Sequence, residues 1–561
     1  MKKYSIKYKD LDENIPKDSE LYDYLSHKNE TMDQSNHERS TDIRKQNLKR
    51  YSSSYNSPPK SLLIMPPITL SAGTVKRVIP PLGLAYIGGV MEKEGLEFEI
   101  LDCVVAGLDV EKEISYGMWI YGIDNLTIEN RIREYNPDVV AISILYSSDL
   151  KSLYNIARIA KKVNNNIVVV AGGIHCTIYP REVLQESNNN GAPIIDFVIR
   201  GEGEYRFIEF LKNINIGLID INSDGLCGYY NGQRFINNQI ARIEDLDALP
   251  FPAYHKLPME KYFQFNIPFS PFPRGTRVMQ IYTSRGCPIG CTFCASTNFN
   301  KKYIARNPEN IVNEIQHYID KYNIDEIQFA DDNLTFSKSR SLELFRLLKK
   351  LNIQWCTPNG IMINTLTDEL LKSMFLSGLY QITLSIDSGS EKVLKEDHRK
   401  PVKLGSIPDL INCLKENKIL IHGTVVIGMP NETIEDIEDG LRFISDLELD
   451  SVGIFIAQAL PGSELYETAV QSMLMTRLSG RVIDTAKSVH TLSKIPKDVL
   501  EKKIHDFLYR YNKIIKARDP EKWNIKYGLH KDRLPFITIG KATPNSDGII
   551  KASQPTPNEI L

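Results

Sequence analysis

TSRGCPIGCTFCAST, residues 283–297, carries three of the chain's eight cysteines, Cys287, Cys291 and Cys294, in the spacing C-x3-C-x2-C. It directly follows an apolar strand-like run, RVMQIYTS. Three thiolates on one short loop are soft ligands, suited to zinc or to an iron–sulfur cluster. A structural zinc site takes four protein ligands, usually as two close pairs. Here no fourth cysteine is near, since Cys356 falls in a separate strand-like run. A four-iron cluster held by three thiolates leaves one iron open to a further molecule, so the spacing favours a cluster, with zinc as the alternative.

Outward from that loop the chain alternates strands and helices. NPENIVNEIQHYIDKYN reads as a helix with Asn307 as N-cap and Pro308 in the first turn. Strand patterns follow in EIQFADD, QWCTPNG, QITLSIDSGS, LIHGTVVIGMP and SVGIFIAQALPG, separated by helical patterns such as SRSLELFRLLKKL and IEDIEDGLRFISDL. Residues 276–465 are therefore expected to form a partial parallel (β/α)6 barrel. Functional groups of such barrels sit at the carboxyl ends of the strands, where the three cysteines lie.

Upstream, residues 61–211 repeat the alternation. SLLIMPP, FEILDCVV, VVAISILYSS, NIVVVAGG and DFVIRGEGE are five apolar strand patterns separated by helices. They predict an α/β domain with a doubly wound parallel sheet. Ligands of such sheets bind outside the strand carboxyl ends, where Gly172, Gly173, Gly201 and Gly203 fall. Residues 212–275 read as a linker with a hairpin around Asn231-Gly232 and proline-rich connectors. Residues 466–540 read as a helical region with Ile504, Phe507, Leu508, Tyr511 and Ile514 on one face. The polar ends, 1–60 and 541–561, read as disordered.

Composition narrows the function. Across 561 residues, 68 basic and 70 acidic side chains leave a net charge of −2, unlike the basic surface of a nucleic-acid binder. Eight scattered and clustered cysteines make no disulfide framework and fit a reducing cytoplasm. Cys103, Cys176, Cys227 and Cys413 read as inert, and Cys356 as a buried strand thiol. No run approaches the roughly 18 apolar residues of a membrane span, and no secretory signal opens the chain.

The cysteine motif, with Phe293 just before its last cysteine at the end of a barrel's first strand, resembles the radical S-adenosylmethionine superfamily. The resemblance implies a [4Fe–4S] cluster whose open iron chelates the amino and carboxylate groups of S-adenosyl-L-methionine. One electron, from a flavodoxin or ferredoxin-type reductant, then yields methionine and a 5′-deoxyadenosyl radical. It also places Asp331 or Asp332, in ADDN, at the methionine amino group. Ser385 and Asp387, in SIDSGS, stand where the family contacts ribose or the methionine carboxylate, and Gly428, in GTVVIGMPNET, beside adenine. The same residues also suit local roles as a helix cap, an Asx turn and a tight bend.

The first domain is similar to the cobalamin-binding domain fused to many of these enzymes. The resemblance rests on PPLGLAYIGG (Leu82, Gly83), AGGIHCTIYP (Gly172, Gly173, His175) and RGEGE (Gly201, Glu202, Gly203). A glycine-lined rim lets a flat corrin approach the backbone. No histidine lies between His37 and His175, so cobalt is expected to have no protein imidazole beneath it, with His175 a hydrogen-bonding rim residue. Together the resemblances imply a cobalamin-dependent methyltransferase acting on an unactivated carbon of a small molecule. Ring formation or rearrangement without methyl transfer is the alternative, followed by a non-catalytic binding protein.

Overall fold

The computed structural model describes residues 58–526, apart from 72–73, 116, 187–191, 231, 271–272, 297–299 and 473–491. The ends expected to be disordered lie almost wholly outside the described residues. The described residues of Pro58–Leu211 and those from Ile221 onward form one compact unit.

The first sheet has seven strands, in the spatial order Gln233–Phe235, Leu226–Tyr230, Phe197–Ile199, Val168–Gly172, Val139–Ser143, Ser61–Met65, Phe98–Asp102. The last five pair in parallel, and their helices include Leu82–Lys93, Asn125–Tyr135 and Leu150–Val163. Numbered along the chain, these strands lie 2-1-3-4-5, so the order reverses beside Ser61–Met65. That reversal opens a crevice at the strand carboxyl ends.

The hairpin expected in the linker forms, but it belongs to this sheet. Leu226–Tyr230 pairs antiparallel with Phe197–Ile199, so the first sheet extends past residue 211 to Phe235. The three-residue strand Phe197–Ile199 would otherwise leave its backbone groups unpaired on one edge, and the hairpin covers them. A second small sheet, Ile68–Ser71, Met118–Tyr121 and Glu111–Ser115, is antiparallel. Its third strand, EKEIS, is mostly exposed and lacks the apolar alternation that marks a strand in sequence.

Six strands form the second sheet in strict chain order: Val278–Ile281, Glu326–Phe329, Gln354–Cys356, Leu379–Asp387, Leu420–Ile427 and Ser451–Ile456. All pairs are parallel, and the first and last strands each pair on one side, giving the expected partial barrel. Phe345 stacks on the buried Trp355 with ring centroids 5.0 Å apart. At the amino end of the barrel the buried Glu326 accepts hydrogen bonds from the backbone N–H of Arg274 (2.8 Å) and Gly275 (2.7 Å) and from the Tyr380 hydroxyl (2.8 Å). That carboxylate fixes where the connector stops and the barrel starts.

Pro308–Tyr322 begins at Pro308 with Asn307 as N-cap in extended conformation, although the Asn307 side chain makes no capping bond. The helix Lys497–Arg518 packs on the barrel through Leu500, Phe507, Leu508, Tyr511 and Ile515, and the Tyr511 hydroxyl donates to the Leu449 carbonyl at 3.2 Å. Ile514, expected on the packed face, is exposed instead; the helix turns its neighbour Ile515 inward. Among the described residues no helix is long and apolar enough to cross a membrane.

Candidate active site

Immediately past the first barrel strand, Ser284–Arg285 pairs antiparallel with Ile304–Ala305 and pinches the cysteine loop at its base. Gly286 follows at φ 88°, and a Cβ there would lie 2.2 Å from the Lys302 carbonyl oxygen, so only glycine fits. The Cys287 N–H donates to the Asn300 carbonyl at 3.0 Å, and the Cys294 N–H to that of Cys291 at 3.2 Å. Between the last two cysteines, Thr292 donates through its N–H to the His398 carbonyl (3.3 Å) and through its hydroxyl to that of Asp397 (2.6 Å). The Phe293 ring meets the His398 ring edge-on at 5.1 Å. The loop is thereby bolted to the π-helical turn Leu394–His398.

Cys287, Cys291 and Cys294 are half-buried, whereas Cys103, Cys176, Cys227 and Cys356 are fully buried, which separates accessible ligands from core thiols. Cys413 is also half-buried but stands alone on the helix Ile407–Glu416. Burial pushes the Cys291 thiol up to about 12, partly offset by the nearby Lys400 ammonium, and raises Cys287 as well. Metal binding must displace those protons.

Among the described residues no three His, Cys, Asp or Glu side chains are already gathered as a metal site. The fit to a cluster rests on the soft donor set and on what surrounds it. Asn333, whose side chain reaches Cys287, has a buried Oδ1 without a partner, and both ring nitrogens of the buried His398 are unpartnered too. An unmet imidazole N–H beside three thiols suits the acceptor sulfurs of a cluster, while the unmet Asn333 Oδ1 suits an N–H donor on a further molecule.

The barrel strand ends place the other expected residues unequally. Asp331 is buried and already accepts from the Thr283 N–H (3.1 Å) and the Thr283 hydroxyl (2.7 Å), as well as from the Ser284 hydroxyl. It clamps the first strand end to the second. Asp332 is exposed and takes one hydrogen bond, from the Gly286 N–H at 3.3 Å, which leaves acceptor capacity. Asp387 sits at φ 63° beside a register shift and forms a buried ion pair with Lys400. Ser385 is half-buried, and its hydroxyl fills the place where Gly360 would carry a Cβ. Gly428 turns the fifth strand end at φ 81°. The buried Glu432 accepts from the N–H of Gly428 and of Met429 (3.1 Å) and closes that turn, with burial pushing its carboxyl up to about 7.

On the first domain, Gly172 ends its strand and Gly173 adopts φ 99°, where a Cβ would lie 2.0 Å from the Ile144 carbonyl oxygen. Gly173→Ala is accordingly expected to cost at least about 2 kcal/mol of stability, read as a lower denaturation midpoint. Gly201, at φ 85°, meets the Ala241 carbonyl in the same way, and Gly203 begins the helix Gly203–Asn215. Gly83 lies in the first turn of Leu82–Lys93 with open space over it, and Leu82 is half-buried. The His175 Nδ1 lies 2.8 Å from the Ser147 hydroxyl, its Nε2 is buried without a partner, and burial pushes the ring down to about 4. Leu145, Tyr146 and Ile174 are exposed just past two strand ends, an uncovered apolar rim that fits a corrin ring.

Arg285, two residues before Cys287, carries the link between the domains. Its guanidinium pairs with Glu202 and Glu204, both at 2.7 Å, and lies 5.5 Å from the Tyr86 ring centre. Glu202 also accepts from the Ile243 N–H at 2.6 Å. Gly462 lies between the halves, for a Cβ there would meet Ile178 at 3.0 Å and Ala295 at 3.7 Å. Rim and barrel mouth are thus held together at the cysteine loop. Arg285, Asn333, His398, Lys400 and Glu432 join the site only in three dimensions. Arg285, Asn333 and Glu432 lie inside the motifs quoted above; His398 and Lys400 sit in a polar stretch that carries no periodic signal.

Fold and site define a two-domain protein in which a loop with three accessible cysteines, at the carboxyl end of a partial barrel, is tied to the glycine-lined rim of a parallel sheet. The B12 binding domain model matches residues 68–211 and the Radical SAM superfamily model matches residues 281–444. The chain is 33% identical over 442 residues to the cytidylyl-2-hydroxyethylphosphonate methyltransferase of Streptomyces wedmorensis, covering 73% of this chain and 82% of that one. It is 30% identical to an uncharacterized methyltransferase of Pyrococcus horikoshii, covering 79% and 90%. The fold matches the radical S-adenosylmethionine methyltransferase TsrM of Kitasatospora setae with a TM-score of 0.59 at 15% identity, over 74% and 76% of the two chains. The chain belongs to the cobalamin-dependent radical S-adenosylmethionine methyltransferase family, whose cofactors are a [4Fe–4S] cluster, S-adenosyl-L-methionine and cobalamin.

Proposed function

We propose that the protein transfers a methyl group to an unactivated carbon of a small-molecule substrate held between the corrin rim and the barrel mouth. The observation that carries this reading is the Arg285 bridge, which ties the cluster loop to Glu202 and Glu204 on the rim and so brings both cofactor sites to one space. When bound, the cluster and S-adenosyl-L-methionine supply a carbon radical, and cobalamin supplies the methyl group. Cys287, Cys291 and Cys294 hold the cluster. Asp332 accepts from the amino group of S-adenosyl-L-methionine, while Asp331 holds the two strand ends in place. Ser385 and the Asp387–Lys400 pair face the ribose and carboxylate, and Gly428, shaped by Glu432, lies beside the adenine, with Phe293 packing over the cluster loop. Leu82, Gly83, Gly172, Gly173, His175, Gly201 and Gly203 shape the corrin bed, and Glu202 contributes through Arg285. His175 is already engaged by Ser147 and buried as a neutral ring, which suits rim packing over cobalt ligation. The electron comes from a flavodoxin or ferredoxin-type protein in the cytoplasm.

Anaerobic turnover of reconstituted protein with candidate small molecules tests the proposal. Methylated product and 5′-deoxyadenosine are expected together; deoxyadenosine without methyl transfer contradicts it. The two aspartates are expected to separate. Asp332→Ala raises the KM for S-adenosyl-L-methionine about tenfold, the loss of roughly 1.4 kcal/mol from one charge-assisted hydrogen bond, with little change in folding. Asp331→Ala leaves three donors without their acceptor and lowers stability by about 2–4 kcal/mol, read by denaturation.

A further inference from the structure

We infer that His398 donates a hydrogen bond to a sulfur of the cluster and thereby raises its reduction potential. The inference rests on the cluster reading above. His398 is fully buried, and neither Nδ1 nor Nε2 has a partner. A neutral imidazole presents one donor and one acceptor, and leaving both unmet in a dry interior is costly. The ring is held beside the cysteines by three contacts. Its carbonyl accepts the Thr292 N–H, the Thr292 hydroxyl reaches the preceding carbonyl at Asp397, and its ring meets Phe293, which precedes Cys294.

The ring sits in a one-turn π-helical segment, a distortion found mostly at functional positions. The charges acting on it are Asp387, Lys400 and Asp397, and the first two also act on Cys291, so the imidazole and that thiol share one environment. Cluster sulfides and thiolates are acceptors only, so the bond they can form with this ring has His398 as donor. Such a bond stabilises the state that carries more negative charge. One-electron reduction, with the electron taken from the reductant and no proton required, is therefore made easier. His398 is a positioning and tuning residue; it touches no substrate in this account.

The test is an EPR-monitored redox titration of reconstituted full-length protein, wild type against His398→Phe and His398→Gln. The phenylalanine keeps the ring packing and removes the donor; the glutamine restores a donor. At a fixed solution potential His398→Phe is expected to lower the reduced-to-oxidised cluster ratio about tenfold, equal to about 59 mV for a one-electron couple, and His398→Gln to recover most of it. Equal potentials in wild type and His398→Phe, with iron content unchanged, overturn the inference. If His398→Phe fails to hold iron, wild type labelled with 15N-histidine decides the matter. A 15N coupling to the reduced cluster in pulsed EPR is expected, and its absence overturns the assignment. Wild type without a cluster would refute the cluster reading, a result distinct from any of these.

Discussion

Cys291→Ala is expected to abolish reductive cleavage of S-adenosyl-L-methionine, lowering 5′-deoxyadenosine formation by at least about a thousandfold, roughly 4 kcal/mol of barrier. Cys291 is the middle one of the three proposed cluster ligands, in a loop with no spare thiol. The remaining cysteines outside it are in the first domain, on the distant strand Gln354–Cys356 or on the helix Ile407–Glu416. Two thiolates hold the cluster too weakly to keep its geometry, and the open iron that binds the methionine group is lost with it. The fold should survive, because Cys291 contributes one intraloop acceptor, its carbonyl to the Cys294 N–H, which alanine retains. Near-wild-type circular dichroism with background deoxyadenosine is the expected pair of results. Cleavage at the wild-type rate would show that the loop does not ligate the reacting cluster.

The second large effect concerns the bridge between the domains. Arg285→Ala leaves Glu202 and Glu204 without their shared cation. The Glu204 side chain is 6% exposed and that of Arg285 20%, so the charges left behind cannot simply rehydrate. Breaking a pair this buried costs about 3–5 kcal/mol. A large drop in denaturation midpoint is expected, together with weaker cobalamin retention as the rim loses its tether to the cysteine loop. The triple variant Arg285→Met, Glu202→Gln, Glu204→Gln removes all three charges and should recover most of the stability without restoring full activity. An unchanged midpoint in Arg285→Ala would mean that other contacts, such as those at Gly462, hold the domains alone.

Much of the architecture was readable from local pattern. Parallel strands buried on both faces leave short apolar runs, and these marked the six barrel strands and five of the seven strands of the first sheet. The elements that were not readable fail for different reasons. EKEIS is a solvated strand in a small antiparallel sheet, with no apolar face to betray it. The Leu226–Tyr230 hairpin was visible as a hairpin, but nothing local says which sheet edge it covers; that is decided by the exposed edge of Phe197–Ile199, far away in sequence. The Ile514 and Ile515 exchange is a rotation of one residue, within what a helical periodicity resolves.

The site was legible where chemistry compresses into a motif and illegible where it depends on who meets whom in space. C-x3-C-x2-C announces itself because three soft ligands must lie within one loop. The division of labour between Asp331 and Asp332 is invisible in ADDN, since it depends on the hydroxyls of Thr283 and Ser284 arriving from another strand. Arg285 looks like an ordinary loop arginine until Glu202 and Glu204 are brought to it. His398 lies in a charged stretch, LKEDHRK, that reads as solvated surface, yet it is fully buried against Phe293.

Everything proposed for the site turns on which metal group Cys287, Cys291 and Cys294 bind. Metal and sulfide analysis with Mössbauer spectroscopy on anaerobically purified, 57Fe-reconstituted protein addresses it directly. A full [4Fe–4S] complement per chain is expected, with a spectrum that changes at one iron site when S-adenosyl-L-methionine is added. Protein that holds zinc at the loop, or no cluster at all, would contradict it.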